Sequence, residues 1–491
     1  MKKMMILMML SASIAVLTCC SAEDPLDDFG GNNSWNDMNM PGYNGNTGTG
    51  ELSAFDIAID MTSAEPTSVA TAYYPDDEDI LANNSFETEV TIDMSNPVAK
   101  TENGVEITVI NGHVTANHGE TKKVCYVVSG TTTNGSFTVV GDKKYAVRLN
   151  GANITNTDSA ALNLLSSKRA YIMLADGTTN TLADGEGGSH KGALYCKGKL
   201  LFNGSGKLSV TGNTNNGIHS ADYIVFNKGN NVYVKSTVNN GIKANDGVFI
   251  NGGILNVEVT AADVKGINCE SHIIINGGRT IVLASGYESE GIQADSTLTI
   301  AGGEVACHTY DDAINSKGEM IISGGYVYAH GQKNDGLDAN GNCYIKGGTV
   351  YAICSGTPEV AIDANTEGGF RLYVTGGTIV ALGGLENGSQ LSQTCYQTSS
   401  WTANSWYALS DGSNSFSFHT PSSGGSGLVV STASQPSLLS DVSVSGGTSY
   451  FSGIGIGNGT VSGGSEVSLS SYTGGNGMGG GPGGWGPGGW R

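Results

Sequence analysis

The chain has 491 residues, including 74 glycines and only 10 prolines, and 14% of its residues are charged. This composition is typical of a turn-rich all-β protein. The formal net charge of −21 argues against nucleic acid or an anionic membrane as the partner. It favours bound cations, or a surface that has to stay soluble outside the cell.

The first 20 residues resemble a bacterial lipoprotein signal peptide with a lipobox. Two lysines at the start precede an apolar stretch over residues 4–17 that is too short to span a bilayer stably. The stretch ends in Leu17-Thr18-Cys19-Cys20-Ser21, with leucine three positions before Cys20. The resemblance implies lipidation of Cys20 and a protein anchored in the outer membrane or at the cell surface. The alternative is ordinary secretion.

Two segments separate this signal from the body of the chain. Residues 21–50 are polar and are predicted to be a disordered tether. Residues 51–104 form a predicted N-terminal β segment, with strand-like alternation around Ile57 and Val90. An acidic run within it, from Asp76 to Asp79, is interpreted as a solvated loop rather than a metal site.

From Val105 a parallel β-helix domain is predicted to extend to Ser431. Residues 105–188 alternate between strands and turns and are interpreted as the irregular first coils, because terminal repeats of solenoids are usually atypical. A clear repeat then runs from Ala193 to Leu382. Its recurring phrase is Ala193-Leu194, Gly217-Ile218, Gly241-Ile242, Gly266-Ile267, Gly291-Ile292, Ala313-Ile314, Gly336-Leu337 and Ala361-Ile362.

The spacing of this phrase predicts the fold. Successive phrases are 24, 24, 25, 25, 22, 23 and 25 residues apart, and from Gly241 onward a Gly-Gly pair follows each phrase. Short β-branched segments lie between these markers, which gives three strands per coil and no helical period. We therefore predict an all-β, right-handed parallel β-helix (a solenoid), in which the phrase Leu/Ile residues stack inside.

After Leu382 the period is lost. Aromatic residues in a Ser-rich stretch, followed by Leu428-Val429-Val430-Ser431, predict a C-terminal β cap. Residues 432–473 are predicted to form further strands, and the Gly-rich residues 474–491 a disordered tail.

The order of these features resembles a family of bacterial surface proteins with a carbohydrate-binding domain. The resemblance covers about residues 105–431 and rests on Val127–Thr132, Leu174–Leu182, the phrase repeat and Leu428–Ser431. It implies a right-handed parallel β-helix related in fold to pectate lyases. It also implies calcium binding and non-catalytic binding of acidic, pectin-like polysaccharide.

A gathering of carboxylates in the last coils suggests where a cation would bind. The position after the phrase Leu/Ile becomes acidic at Asp338 and Asp363, and other acids lie just before the phrase. Like charges on adjacent coils repel, and Ca²⁺ would remove that cost while finding the oxygen ligands it prefers. The alternative is a solvated acidic face. The candidate metal ligands are Glu290, Asp311, Asp312, Asp335, Asp338, Glu359 and Asp363.

Three function classes follow from these features. The favoured one is a lipid-anchored module without catalytic residues that binds Ca²⁺ and a polygalacturonate-like polysaccharide. The second is a calcium-dependent polysaccharide lyase, whose base would be Lys317, Lys333 or Arg371. The third is an adhesin or stalk without a sugar ligand. A homo-oligomer stays open, and the seven cysteines beyond Cys20 predict no disulfide framework, although Cys343 and Cys354 are near enough in sequence to pair.

Overall fold

The computed structural model describes residues 56–66, 70–356 and 359–474. The predicted lipoprotein signal with Cys20, the predicted tether and nearly all of the predicted tail lie outside the described residues. Among the residues that the structure describes, no helix is long or apolar enough to cross a membrane. The three helices are short 3₁₀ segments, namely Asp77–Asp79, Leu81–Asn83 and Phe451–Gly453.

Two sheets form the body of the molecule. The 12-stranded phrase sheet holds the strand of each coil that contains the phrase, and the 25-stranded double sheet holds the other two strands of each coil together with part of the C-terminal region. The phrase sheet consists of Lys100–Glu102, Val105–Ile110, His113–Asn117, Phe137–Val140, Leu162–Leu164, Gly192–Cys196, Asn216–Ser220, Ile242–Ala244, Lys265–Cys269, Glu290–Ala294, Ile314–Ser316 and Leu337–Ala339.

The double sheet consists of Thr88–Asp93, Val124–Thr132, Tyr145–Asn156, Ala170–Leu174, Thr179–Asp184, Leu200–Gly204, Lys207–Gly212, Tyr223–Phe226, Asn231–Ser236, Gly247–Ile250, Ile254–Val259, His272–Ile275, Arg279–Ala284, Leu298–Ile300, Glu304–Thr309, Met320–Ile322, Tyr326–Gly331, Cys343–Ile345, Thr349–Cys354, Leu372–Val374, Thr378–Leu382, Gln390–Leu391, Cys395–Trp401, Gly425–Ser431 and Ser470–Tyr472.

The phrase residues stack inside the molecule, which confirms the predicted parallel β-helix. From Leu194 to Leu337 each phrase Leu/Ile pairs in parallel register with the next, and an isolated bridge extends the stack to Ile362. All of these side chains are fully buried. A second bridge, from Ile362 to Leu385, continues the stack beyond the predicted last coil.

The second glycine of each Gly-Gly pair forms the corner of its coil. Gly278, for example, has φ +76°, and a Cβ there would lie 2.5 Å from the carbonyl oxygen of Gly253 on the coil before it. Only glycine adopts this left-handed conformation at low cost while the backbones of successive coils lie this close together. This requirement explains why the pair recurs at a fixed distance from the phrase.

The stack begins before Val105. Strand Thr88–Asp93 pairs in parallel with Val124–Thr132, so part of the N-terminal β segment belongs to the first coil of the double sheet. The strands Lys100–Glu102, Val105–Ile110 and His113–Asn117 form an antiparallel meander at the end of the phrase sheet. This arrangement closes the edge that a parallel stack would otherwise expose.

The N-terminal strap, residues 56–66 and 70–84, runs along the outside of the double sheet. Its backbone bonds to side chains of several coils, for example from Tyr73 N to Asn251 Oδ1 at 2.8 Å. Asp76, Asp77 and Glu78 of the acidic run are exposed, but its interpretation as a solvated loop is wrong for Asp79, which is fully buried. Asp79 accepts hydrogen bonds from the Tyr223 hydroxyl and the Arg169 guanidinium, both at 2.8 Å. These partners supply the charge and hydrogen bonds that a buried carboxylate needs.

The C-terminal region closes the last coil and covers part of the same flank. Strand Gly425–Ser431 pairs antiparallel with Thr378–Leu382, the last strand of the repeat. A separate antiparallel sheet adds a second apolar cluster around Tyr351 and Phe418. This sheet consists of Trp406–Ser410, Ser415–His419, Ser437–Ser445, Thr448–Tyr450, Gly455–Gly457 and Thr460–Glu466.

The cysteines in the described part of the chain are all buried thiols. Cys196 and Cys269 lie in the apolar core, as their place in the repeat predicts. Cys343 and Cys354 do not pair: Cys343 belongs to the interior core, whereas the Cys354 thiol contacts the Gly356 carbonyl oxygen at 3.4 Å.

Candidate functional site

A ladder of polar side chains follows the outer face of the phrase sheet. It occupies the position after each phrase Leu/Ile, because successive residues of a strand point to opposite faces. The early coils place neutral or basic groups there, and Asn268 donates to Gln293 Oε1 at 3.2 Å. In register order the ladder is Tyr195, His219, Lys243, Asn268, Gln293, Asn315 and Asp338, and Asp363 and Glu386 follow the two bridged residues.

Two carboxylates at the late end of this ladder meet Asp335, which lies just before a phrase, in one place that we call the acidic site (Asp335, Asp338 and Asp363). One carboxylate oxygen from each lies within 4.8 Å of the others. The backbone holds the site in position, since Asp335 Oδ1 accepts a hydrogen bond from the Val360 N–H at 2.7 Å. Asp312 supports it from the preceding coil by accepting the Asp335 N–H at 3.0 Å.

Burial and mutual repulsion make these acids hard to ionise. Burial, followed by the charges of Asp312 and Asp363, raises the pKa of Asp335 to about 10. Burial and the neighbouring Asp338 raise the pKa of Asp312 to about 8. Burial is also the main reason that the pKa of Asp338 rises to about 6 and that of Asp363 to about 8, the latter with a contribution from Glu386. A nearby cation would lower all four pKa values.

The other predicted ligands lie around the acidic site rather than in it. Glu290 is buried, 3.3 Å from Lys265 Nζ, and accepts a hydrogen bond from Gln293 at 2.7 Å. Asp311 is half-buried, and burial raises its pKa. Glu359 is exposed, yet its charge contributes to the raised pKa of Asp338. These residues add negative potential to the site and are near enough to interact with it electrostatically.

Sequence analysis missed Glu386. It follows Leu385, which bridges Ile362, and it therefore occupies the next step of the ladder beside Asp363. The sequence contains a usable signal, since Gly384-Leu385 repeats the phrase 23 residues after Ala361-Ile362. The predicted repeat stopped at Leu382, before this phrase.

The donor set of the acidic site fits a hard divalent cation. Three carboxylates from two successive coils offer the oxygen ligands that Ca²⁺ prefers, and no nitrogen or sulfur ligand competes among them. Asn315 donates its amide N–H to Asp338 at 2.9 Å and to Asp312 at 3.1 Å. Its buried amide oxygen has no hydrogen-bond partner within the described residues. An oxygen left in this state is costly unless a cation or water meets it.

The residues considered as lyase bases are mostly engaged elsewhere. Lys317 forms an ion pair with Asp295 at 2.7 Å. Arg371 donates to the Gly388 carbonyl oxygen at 3.3 Å, and Lys333 is exposed. Lys243, in the ladder itself, pairs with Glu270 at 2.9 Å and so serves as a counter-charge to that acid.

Two known proteins are similar to parts of this chain. A carbohydrate-binding domain-containing protein from Acetivibrio thermocellus is 36% identical over 112 residues, which are 21% of this chain and 39% of that relative. The chain thus spans about two fifths of the relative's length. A solved structure described as a polysaccharide lyase-like protein from C. thermocellum, gadolinium derivative, is 21% identical, with a TM-score of 0.35 over 56% of this chain and 95% of that one.

A family model covers the solenoid itself. The model described as carbohydrate-binding domain-containing protein matches residues 110–384, more than half of the chain, and this range includes the phrase repeat and the acidic site. The chain therefore belongs to the family of carbohydrate-binding domain-containing proteins.

Proposed function

We propose that this chain is a non-catalytic surface protein that binds Ca²⁺ at the acidic site and uses it to hold uronic-acid polysaccharide. The observation that carries the proposal is the convergence of Asp335, Asp338 and Asp363 within 4.8 Å of one another. Without a cation, three buried or half-buried carboxylates at this distance repel each other and lose hydration. The arrangement is costly unless a dication compensates for it.

The protein's own groups define how such a site would work. Asp335, Asp338 and Asp363 would hold the ion, and the Asn315 amide N–H would keep Asp338 in place. A bound Ca²⁺ supplies positive charge that the carboxylates of a uronic-acid polymer can share. The polymer would then lie along the outer face of the phrase sheet, where the ladder offers Asn and Gln side chains for hydrogen bonds to hydroxyl groups.

Calcium is favoured over magnesium for a geometric reason. Asp335 and Asp338 come from one coil and Asp363 from the next, and the backbone stack fixes the spacing of the two coils at about 4.8 Å. Ca²⁺ accepts six to eight oxygens in irregular arrangements, whereas Mg²⁺ requires a tight octahedron of shorter bonds. A site whose ligands cannot move closer together therefore suits the larger ion.

Retention on immobilised polygalacturonate tests the proposal. We expect the wild-type chain to be retained with Ca²⁺ and released by a chelator, and the Asp338→Asn/Asp363→Asn double variant to flow through in both conditions. Asp176→Asn is the matched control, since it removes an exposed carboxylate from an earlier coil. Retention that does not depend on Ca²⁺, or that survives in the double variant, would contradict the proposal.

The same preparation distinguishes the other functions. Unsaturated uronate product appearing with Ca²⁺, and lost in Lys317→Ala, Lys333→Ala or Arg371→Ala, would make the chain a lyase. Neither retention nor product would support a stalk without a sugar ligand. Either result would contradict the proposal of a non-catalytic carbohydrate-binding protein.

We also propose that Cys20 carries a lipid anchor that holds the domain at the membrane surface. The support is the lipobox-like sequence before it, which lies outside the described residues. Cys20→Ala should move the protein from the membrane fraction to the soluble fraction. Mass spectrometry of the native N-terminus that finds no acyl chain on Cys20 would contradict the anchor.

A further inference from the structure

A pair of buried histidines lies on the flank of the solenoid under the strap, in the double sheet. His308 and His330 occupy matching positions on adjacent coils, and their rings stack with centroids 4.1 Å apart. His308 is 0% exposed and His330 2% exposed. Asp56, the first described residue of the strap, lies beside both rings.

The neighbours of the ring nitrogens indicate which nitrogen donates and which accepts a hydrogen bond. The Asp56 backbone N–H donates to His308 Nδ1 at 3.0 Å, so this nitrogen must offer a lone pair. His308 Nε2 then carries the proton and lies 2.7 Å from the Gln332 amide nitrogen, and turning this amide over brings its oxygen to the ring as the acceptor. His330 Nε2 lies 3.0 Å from Ser355 Oγ. Both Nε2 atoms are therefore held by outer partners.

The two Nδ1 atoms point to one carboxylate. Asp56 Oδ2 is 3.1 Å from His330 Nδ1 and 3.8 Å from His308 Nδ1. The Tyr328 hydroxyl adds a further oxygen, 3.1 Å from His330 Nδ1 and 3.2 Å from Asp56 Oδ2. The candidate ligand atoms of Asp56, His308 and His330 all lie within 4.8 Å of one another.

We propose that Asp56, His308 and His330 form a binding site for a transition-metal dication of the Zn²⁺ type. Two imidazole nitrogens and one carboxylate oxygen are a common ligand set for zinc. Imidazoles that bind a metal usually donate their other ring N–H to a fixed partner, the role that Gln332 and Ser355 are placed to fill. The acidic site offers oxygen atoms alone, so the two sites select different cations.

Metal at this site would join three parts of the chain. His308 and His330 belong to adjacent coils, whereas Asp56 reaches them from more than 250 residues away in sequence. Ile57, next to Asp56, already packs into the apolar cluster on this flank. The ion would therefore fix the start of the strap to the solenoid.

Zinc titration of the chelator-treated full chain tests the site, in excess Ca²⁺ so that the acidic site is occupied. We expect one tight Zn²⁺ per chain and a higher melting temperature. Co²⁺ in place of Zn²⁺ should give the visible absorption of a four-coordinate site. Asp56→Asn, whose side chain is 24% exposed and so tolerates substitution, should weaken Zn²⁺ by at least about tenfold and abolish the Co²⁺ bands.

Two further variants make the result specific. Gln332→Ala should keep the stoichiometry but weaken Zn²⁺ by about 10- to 100-fold, as loss of an outer partner does. His272→Ala removes an exposed histidine and should change nothing. The proposal is overturned if Zn²⁺ and Co²⁺ leave the melting temperature and spectrum of the wild type unchanged. It is equally overturned if Asp56→Asn and His330→Gln bind Zn²⁺ as tightly as the wild type does.

Discussion

The early and late coils of the solenoid use one ladder position in opposite ways. In the early coils the position holds Asn268 and Gln293, and the Asn268 amide N–H donates to the Gln293 amide oxygen on the next coil. In the late coils it holds Asp338 and Asp363, which as carboxylates can only accept. The interior stack continues through both regions, as paired strands up to Leu337 and as isolated bridges to Ile362 and Leu385. The comparison indicates that the fold supplies the spacing, while the ladder side chains decide the charge of each region.

The largest effect is expected from a substitution in the interior stack, which both regions share. Ile292→Asp places a charge in the fully buried stack between the amide and acidic coils. It should lower the free energy of unfolding by more than the roughly 2–5 kcal/mol lost when a core side chain is truncated, because the charge has no partner there. Loss of the cooperative melting transition, as measured by circular dichroism, would agree with this prediction. A variant that melts like the wild type would mean that the stack does not hold the coils together.

The next largest effect should come from Ca²⁺, which should stabilise the chain through the late coils and not through the early ones. At a free concentration near 100 times its dissociation constant, Ca²⁺ should stabilise the chain by about 2.7 kcal/mol through linkage. The melting temperature should rise with Ca²⁺ and much less with Mg²⁺, and the Asp338→Asn/Asp363→Asn variant should not respond. The Asp176→Asn control should respond like the wild type, and an equal response in the double variant would place the cation elsewhere.

Acid should affect the same region in the calcium-free chain. The pKa of Asp312 and that of Asp363 rise to about 8, and that of Asp335 to about 10, so the folded chain retains protons that the unfolded chain loses near pH 4. Stability contributed by these groups is therefore complete below about pH 4 and is lost as pH rises toward about 8 to 10. In a chelator, the melting temperature should fall from about pH 5 to about pH 8 more steeply in the wild type than in the double variant. Equal slopes would contradict the raised pKa values.

The smallest effect should come from making a late coil resemble an early one. Asp338→Asn keeps the side-chain shape and lets the amide ladder continue from Asn315. In a chelator it should stabilise the chain by about 1 kcal/mol, since it removes one repelling charge. With Ca²⁺ the order should reverse, because the wild type gains the ion. A variant that is less stable than the wild type in both conditions would show that Asp338 is held by contacts other than a cation.

The repeat allowed much of the solenoid to be predicted from the sequence. The phrase fixes which residues stack inside, and the Gly-Gly corner sets where each coil bends, so Asp338 and Asp363 could be placed on adjacent steps. Both features are local and periodic. Glu386 shows the limit: Gly384-Leu385 keeps the spacing of the phrase, but no Gly-Gly corner follows it, and the predicted repeat ended one step early.

Contacts between distant, non-periodic segments could not be predicted in this way. Asp79 is buried against Tyr223, which lies 144 residues later in the chain. The sequence of the acidic run does not indicate that partner. Asp56 reaches His308 and His330 through the same strap. The two histidines are one coil apart in sequence, but they form a three-residue cluster only with Asp56 of the strap. The strap contains no repeat from which its position on the solenoid could be predicted.

Calorimetric titration of Ca²⁺ into the wild type and the Asp338→Asn/Asp363→Asn variant, side by side, tests the role of the acidic site most directly. If the late carboxylates hold the ion, the wild type will bind Ca²⁺ with a saturable heat and the double variant will give only the heat of dilution. The Asp176→Asn control will match the wild type. Saturable binding of equal affinity in the double variant would contradict the account, since the acidic site would then not be where Ca²⁺ binds.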